Sequence, residues 1–396
     1  MLLSRSMTDY SPYESVSKSE HTIIPTGQLP SDETLGVLEP VAYFNDAMPT
    51  GVTVSQKGRI FVNFPRWGDE VPFTVAEVRE GKAIAYPDEA MNQTDPHDLA
   101  ADAGALVSVQ SVVVDPADRL WILDTGSPMF QPTKYGGPKL LCVDLNMNQV
   151  VKKILFPQNV ALPTTYLNDV RFDLQRGKEG IAYITDSAQN GPNGIIVVDL
   201  ASGECWRRLN DHPSTKAEDL QTFLPIVEGR PFLVKQEEDG STNLAANMGS
   251  DGIAISATGQ WLYYCPLASR RLYSVSTEAL SNRSVDDQYV SRTVKDEGDK
   301  GGASDGLESD AEGRIYVTNY EHNSIMRRSP NGEWETVVDD PRLLWPDTLS
   351  LASDGYLYVT ANQLHRQARF HNGSDMRKKP YTLFRIKVNA KPVLLR

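Results

Sequence analysis

Ser111-Val112-Val113-Val114-Asp115, a polar turn through Asp118, then Arg119-Leu120-Trp121-Ile122-Leu123 reads as two apolar strands folded back on each other. β-Branched and aromatic residues suit a pleated, buried surface, and Asp and Pro close the turn between them. The same phrase recurs along the chain. Val52-Thr53-Val54 turns through Lys57-Gly58 into Ile60-Phe61-Val62, and Asn168-Asp169-Val170-Arg171-Phe172 leads to Ala182-Tyr183-Ile184-Thr185. Asp251-Gly252-Ile253-Ala254-Ile255 leads to Leu262-Tyr263-Tyr264, Asp305-Gly306-Leu307 to Ile315-Tyr316-Val317, and Asp347-Thr348-Leu349 to Leu357-Tyr358-Val359. Repeats begin near Pro49, Gln110, Asn168, Ser250, Ser304 and Pro346, separated by 61, 58, 82, 54 and 42 residues. A four-stranded blade with its loops takes roughly 40–50 residues. The spacing therefore predicts an all-β, six-bladed β-propeller of four-stranded antiparallel blades.

A propeller must close its ring or leave sheet edges unpaired. Leu35–Phe44 is strand-like and precedes the first full repeat, so it is predicted to complete the last blade beside Tyr381–Val388. Residues 1–34 read as a poorly ordered tail and 35–396 as one propeller domain. The 82-residue gap holds an insertion at about 207–247, with a short helix expected at Ala217–Leu224, a strand-like run at Phe232–Lys235, and a lid as its sharpest reading.

The net charge of −13 argues against a phosphate-neutralising nucleic-acid binder. Three cysteines, Cys142, Cys205 and Cys265, all lie in or beside apolar runs. The N-terminal stretch is Ser-rich without an apolar signal core, and no apolar run approaches the roughly 18 residues that span a membrane. These features predict a cytoplasmic protein with reduced thiols and no membrane partner.

Strand polarity sorts the polar residues. The start of each first strand and the end of each second strand share one face; the turns between them lie on the other. Lys57, Asp115, Asp118, Asp310 and Asp354 thus belong to far-side turns. Thr50, Ser111, Asp169, Asp251, Asp305 and Asp347 should point into the channel mouth, with Asn168 beside them. Asn63, Asp124, Asp186, Cys265, Asn319 and Asn362 should ring them farther out, with His322 and His365 on the same face. Four carboxylates at one mouth cannot all ionise without a cation or raised pKa values. A hard divalent cation such as calcium is one solution, and proton sharing is another. Trp345, Phe64 and Trp67 are candidates for an aromatic wall.

Two louder motifs are pieces of the repeat. Asp124-Thr125-Gly126-Ser127 matches an aspartic-protease loop, but its weak echo Asp186-Ser187 comes only 62 residues later, too little chain for a lobe around each. Gly302-Ala303-Ser304-Asp305-Gly306 matches a nucleophile elbow, yet a charged loop precedes it and strands follow, where an elbow needs a strand before and a helix after. His365–His371 with Arg377-Lys378-Lys379 is the one basic segment and reads as a solvated loop.

The wording of the repeats resembles the major royal jelly protein / Yellow family. The likeness rests on Leu120–Gly126, Tyr166–Val170, Ala182–Ser187, Asp251–Ile255, Leu262–Val275 and Trp345–Ser350, in order across residues 35–390, and is closer to the microbial branch. It implies a six-bladed propeller and, in different members, dopachrome isomerisation, amine binding, or storage and signalling. A more distant likeness is to regucalcin/gluconolactonase propellers, which hold a divalent cation with Glu, Asn and Asp. That likeness implies Asn168, Asp251 and Asp305 as metal ligands, with Thr50 standing where the Glu would be.

The reading that follows is an enzyme processing a small molecule, isomerase- or tautomerase-like on a cyclic or aromatic metabolite. Asp251, Asp305 and Asp169 would shuttle protons with His322 or His365 assisting, while Asp124, Asp186, Asn319, Asn362, Trp345 and Asp347 would contact ligand. The alternatives are a metal-dependent, lactonase-like hydrolase and a non-catalytic binder of an amine or aromatic ligand.

Overall fold

The computed structural model describes residues 35–93, 103–235 and 240–396; the tail expected at 1–34 lies outside them. Six four-stranded antiparallel sheets form the six blades of the propeller. The inner strands are Val52–Val54, Val109–Val114, Leu167–Asp173, Ser250–Ile255, Leu307–Ser309 and Pro346–Leu351. The last blade is composite. Its outer strand is Leu38–Phe44, paired with Tyr381–Lys387 so that Leu38 faces Ile386 and Phe44 faces Tyr381. This closes the ring as the sequence predicts, and no blade edge is left between the chain's two ends.

The core lies between neighbouring blades. Trp121 stacks on Phe172 at 5.1 Å across the second and third blades, among buried Val170, Ile184 and Val198. Each such aliphatic side chain contributes about 1.5–3 kcal/mol on burial. The inner strands converge so tightly that side chains are excluded at some positions. A Cβ on Gly252 would lie 2.4 Å from the Asp305 carbonyl oxygen, and one on Gly306 would lie 2.3 Å from that of Asp347. These glycines permit close backbone approach and do not make turns, so the Asp-Gly pairs are channel features.

Four inner strands carry a register break at the same point: Val109/Ser111, Leu167/Val170, Ser250/Ile253 and Pro346/Leu349. A bulge re-aims the side chain it carries. Here it aligns Asn168 with Asp251 and Asp347, and places Asp169 one step deeper. The far-side aspartates make turns as predicted. Asp115 Oδ1 accepts from the Ala117 and Arg119 amides, and Asp310 Oδ1 from those of Glu312 and Arg314.

The insertion differs from expectation in one respect. Ala217–Leu224 forms no helix; it makes a single turn in which the Asp219 carbonyl accepts from Thr222 and Phe223 while Asp219 Oδ1 takes the Gln221 amide. A side chain that bonds its own backbone competes with helix propagation. Two short hairpins follow, Ile226–Val227 with Arg230–Pro231 and Leu233–Lys235 with Thr242–Leu244. At the opposite mouth the C-terminal residues form a strap: the Lys391 carbonyl accepts from Ala311, and the Leu395 carbonyl from Leu174.

Candidate active site at the upper channel mouth

The entries to the inner strands, bulged in the second, third, fourth and last blades, bring Gln110, Asn168, Asp251, Asp305 and Asp347 to the floor of one small cavity. Each carboxyl has a neutral donor. Asn168 Nδ2 donates to Asp251 Oδ2 at 2.7 Å, Trp345 Nε1 to Asp305 Oδ2 at 2.7 Å, and Asn362 Nδ2 to Asp347 Oδ2 at 2.7 Å. No Lys or Arg pairs with any of the three among the described residues. Burial and mutual repulsion therefore raise Asp251 and Asp347 well above the usual carboxylate range, and burial raises Asp305 to about 6. Asp251 and Asp305 act on each other's ionisation, and two buried neighbouring carboxyls without a cation favour retaining one proton between them.

Asp169 sits one layer below. It accepts from Ser111 Oγ at 2.6 Å and pairs with Arg171 Nη1 at 2.8 Å. The mouth thus holds three carboxyls, not four, because the repeat aligns Asn168, and not Asp169, with Asp251. In the first blade Thr50 contributes no charge; its hydroxyl accepts from Asn63 and faces the Gln110 carbonyl.

The outer ring consists mainly of clamps. Asp124 Oδ atoms accept from the Val107, Ser108 and Gly126 amides and pair with buried Lys139 at 3.0 Å. Asp186 does the same for Tyr166 and Ala188 and pairs with Arg207 at 2.8 Å. Asn63 ties to the Val109 and Gln110 carbonyls, and Asn319 to the Gly301 carbonyl and the Glu321 amide. These side chains fix the loops entering the inner strands; of the group only Asn362 reaches the carboxyl floor. Cys265 is a buried free thiol. His322 is exposed in the turn after Asn319, away from the cavity. His365 lies behind the cavity wall, stacked on Trp345 at 5.8 Å and bonded through Nε2 to Glu228 at 2.8 Å; burial pushes it down to about 4.

Trp345 is itself a second layer. It is fully buried, stacks on Tyr320 at 4.1 Å, and adopts φ of +57°. A bulky residue in the left-handed region is strained and persists only where its surroundings over-determine it. Phe64 packs in the core against Phe44 and Phe73. Of the three proposed wall aromatics, only Trp67 lines the cavity.

The roof was not legible as such. Phe130 stacks on Trp67 at 5.4 Å and on Tyr166 at 5.0 Å, and the Arg369 guanidinium lies 5.1 Å from the Phe130 centroid and 4.5 Å from that of Phe370. Ala245–Met248, at the end of the insertion, complete it. The only signals were the basic segment, read as solvated although Arg369 and Phe370 line the cavity, and the insertion, whose last residues reach it. The enclosed space is about 30 Å³, room for one or two waters.

A divalent cation such as calcium requires several converging oxygen donors. The oxygens of Asp251 and Asp305 are hard donors, but Asn168 turns its N–H groups toward Asp251 Oδ2 and Ser187 Oγ. Among the described residues no three His, Cys, Asp or Glu side chains converge as a metal-binding group. The arrangement fits a shared proton and does not fit a resident calcium ion.

Comparison with known proteins agrees with this architecture. The profile described as "Major royal jelly protein" matches residues 107–392. Major royal jelly protein 7 of Apis mellifera is 32% identical over 182 residues, 45% of this chain and 37% of that protein. Protein yellow of Drosophila erecta is 26% identical over 264 residues, 64% of this chain and 45% of that protein. The matches thus span less than half the length of these two relatives. A solved calcium-binding protein, regucalcin from Agrobacterium tumefaciens, superposes with a TM-score of 0.51 at 14% identity, covering 90% of this chain and 97% of that one, a likeness of fold.

Proposed function

The chain belongs to the major royal jelly protein family, and from that premise we propose that it is an isomerase- or tautomerase-like enzyme acting on a small cyclic or aromatic metabolite at the upper mouth. The observation that carries this reading is the Asp251–Asp305 pair, buried, without a cationic partner and able to share one proton. Its ionised member takes a proton from carbon beside a carbonyl, and its protonated member gives one to another substrate atom. The pair ends with the proton count it began with, so no co-reactant is consumed. Asn168, Trp345 and Asn362 orient the three carboxyls, and the ring system of Trp67, Phe130 and Tyr166 supplies a flat wall for a planar substrate.

The lactonase-like alternative requires a cation for which this floor is poorly arranged. A non-catalytic binder is the second reading, favoured by the aromatic roof over an acidic floor. The free thiols Cys142, Cys205 and Cys265 support a reducing, cytoplasmic setting. The test is proton exchange in D2O, followed by NMR on a panel of cyclic ketones and hydroxylated aromatics. Enzyme-dependent deuterium uptake, lost in Asp251→Asn/Asp305→Asn, is the expected result. Binding without exchange across the panel would favour the binder, and affinity unaltered in the double variant would remove both readings.

A further inference from the structure

The other mouth of the channel holds a cavity of about 430 Å³, against about 30 Å³ at the carboxyl floor. That volume lies within the roughly 300–1,000 Å³ of small-molecule pockets. Its walls are the far ends of the inner strands, with Val54, Val114, Phe172, Ile255 and Leu351 facing inward, and its cover is the C-terminal strap Lys391–Leu394. The strap is held by backbone bonds to the third and fifth blades, Leu174 to Leu395 and Ala311 to Lys391.

Charged side chains of both signs line this cavity, Arg171 and Lys391 against Asp115 and Glu308, with Gln56, Thr53 and several serines among its neutral polar lining. Arg171 is 7% exposed, and its Nη groups are committed to Asp169 Oδ2 and the Val170 and Leu307 carbonyls. Its Nε–H is buried with no partner. An unmade bond on a buried donor costs about 1–3 kcal/mol, so a small shift of the guanidinium that brings Nε to a ligand acceptor is rewarded. The Glu308 carboxyl accepts from the Ser309 amide at 2.8 Å and the Leu351 amide at 3.4 Å. Burial raises its pKa against the pull of Arg171, so it retains a donor over a wider pH range than an exposed glutamate. The charge of Arg171 is already matched by Asp169. Asp115 is likewise matched by Arg119, so a ligand carboxylate would meet Glu308 as well as Lys391, and an ammonium would meet Arg171 and Lys391.

We propose that this lower cavity is a second small-molecule site, taking a ligand with an apolar body and one uncharged hydrogen-bonding head, such as an amide, ketone or hydroxyl, set against Arg171 and Glu308. The site is independent of the chemistry at the carboxyl floor. Octanamide, octanoate and octylamine, which share a chain and differ in head charge, test it by calorimetry on the full-length protein. Octanamide should bind saturably, and the two charged probes at least tenfold more weakly. Val54→Trp and Val393→Trp, one on a wall and one on the strap, should each weaken octanamide at least tenfold with the melting transition retained. A diazirine-bearing octanamide should label residues 349–354 or 391–394, a readout that needs no variant. Absence of saturable binding, equal affinity for all three heads, indifference to both tryptophans, or label confined to residues 245–248 or 364–370 would each overturn the proposal.

Discussion

The two mouths of the channel are the two ends of the same six inner strands, yet they solve opposite problems. At the upper end, bulges turn Asp251 and Asp347 inward and the segment entering the fifth blade brings Asp305 beside them, each with one neutral donor, under a roof that leaves about 30 Å³. At the lower end the strands run on regularly, carry mostly apolar side chains, and open into about 430 Å³ beneath a strap. Near the lower mouth the positive-φ residues other than glycine are Asp118 and Asn389, types that tolerate the left-handed region; the bulkier cases lie above. Phe130, Trp345 and Gln363, all at or behind the upper mouth, have φ between +56° and +59°. Backbone strain beside buried carboxyls that lack a cationic partner is what motivates the chemistry proposed for the upper mouth, whereas the roomier lower mouth motivates the proposed ligand site.

The largest effect that would break this contrast comes from the carboxyl pair. Asp251→Asn/Asp305→Asn should lower proton exchange by roughly 10²–10⁴-fold, the usual contribution of positioned acid–base groups, while leaving octanamide binding below unchanged. Equal loss at both mouths would mean the substitution had disturbed the fold. In the unaltered protein the exchange rate should trace a bell in pH, with one limb near the value of about 6 held by Asp305.

Stability should move the other way. Asp305 in the folded chain titrates near 6, above its unfolded value near 3.8, so the folded state holds its proton more tightly. The protein is then most favoured below the unfolded value and loses stability as pH rises through about 6. Two units correspond to roughly 3 kcal/mol at most. Asp305→Asn, which cannot ionise, should therefore raise the melting temperature at pH 7 and make it flatter between pH 4 and 6.5. A fall in melting temperature at pH 7 would show that the carboxylate is compensated in a way the three neutral donors do not explain.

The propeller and its closure were legible because the six phrases repeat and their strand polarity is fixed by topology. The carboxyl floor was legible for the same reason, with one displacement: Asp169 was read into the ring where Asn168 belongs, because a bulge shifts register by a residue and leaves no mark in composition. Asp124, Asp186 and Asn319 were placed on the correct face but assigned to ligand. Their backbone partners, Val107 and Ser108 for Asp124 or Tyr166 for Asp186, become visible only when the entering loops are folded. The roof escaped because it is assembled from Phe130, Met248 and Arg369, residues of three separate loops with no shared pattern.

Trp345 sharpens the upper site without touching substrate. Its indole N–H lowers the Asp305 pKa, so Trp345→Phe should raise it and move the corresponding limb of the pH profile upward. Loss of the bond should also cost about 1–2 kcal/mol of folding stability. A stability change with an unmoved pH profile would make Trp345 a packing residue only.

The smallest expected effect concerns how the upper mouth opens, since a cavity of about 30 Å³ admits no substrate as it stands. Glu228, on the insertion, accepts from Arg366 Nη2 at 2.5 Å and Nε at 2.9 Å and from His365 Nε2 at 2.8 Å, joining the insertion to the last-blade loop that carries Arg369. The pair is partly exposed, with Glu228 at 24%, so its worth is about 1 kcal/mol or less. Arg366 and His365 pull Glu228 down to about 2, so its contribution is present above the ordinary carboxylate range and is lost as pH falls through about 2. His365, held neutral to about 4 by burial, costs stability as pH falls from its unfolded value near 6.5 toward 4. Glu228→Gln should thus increase amide exchange across residues 226–234 by a few-fold at neutral pH and speed ligand entry, with the effect shrinking in high salt. It should leave exchange in the strap at 391–395 unchanged. Opening that ignores both the substitution and salt would place the hinge elsewhere in the roof, with Phe130 and its stacked neighbours the next segment to move.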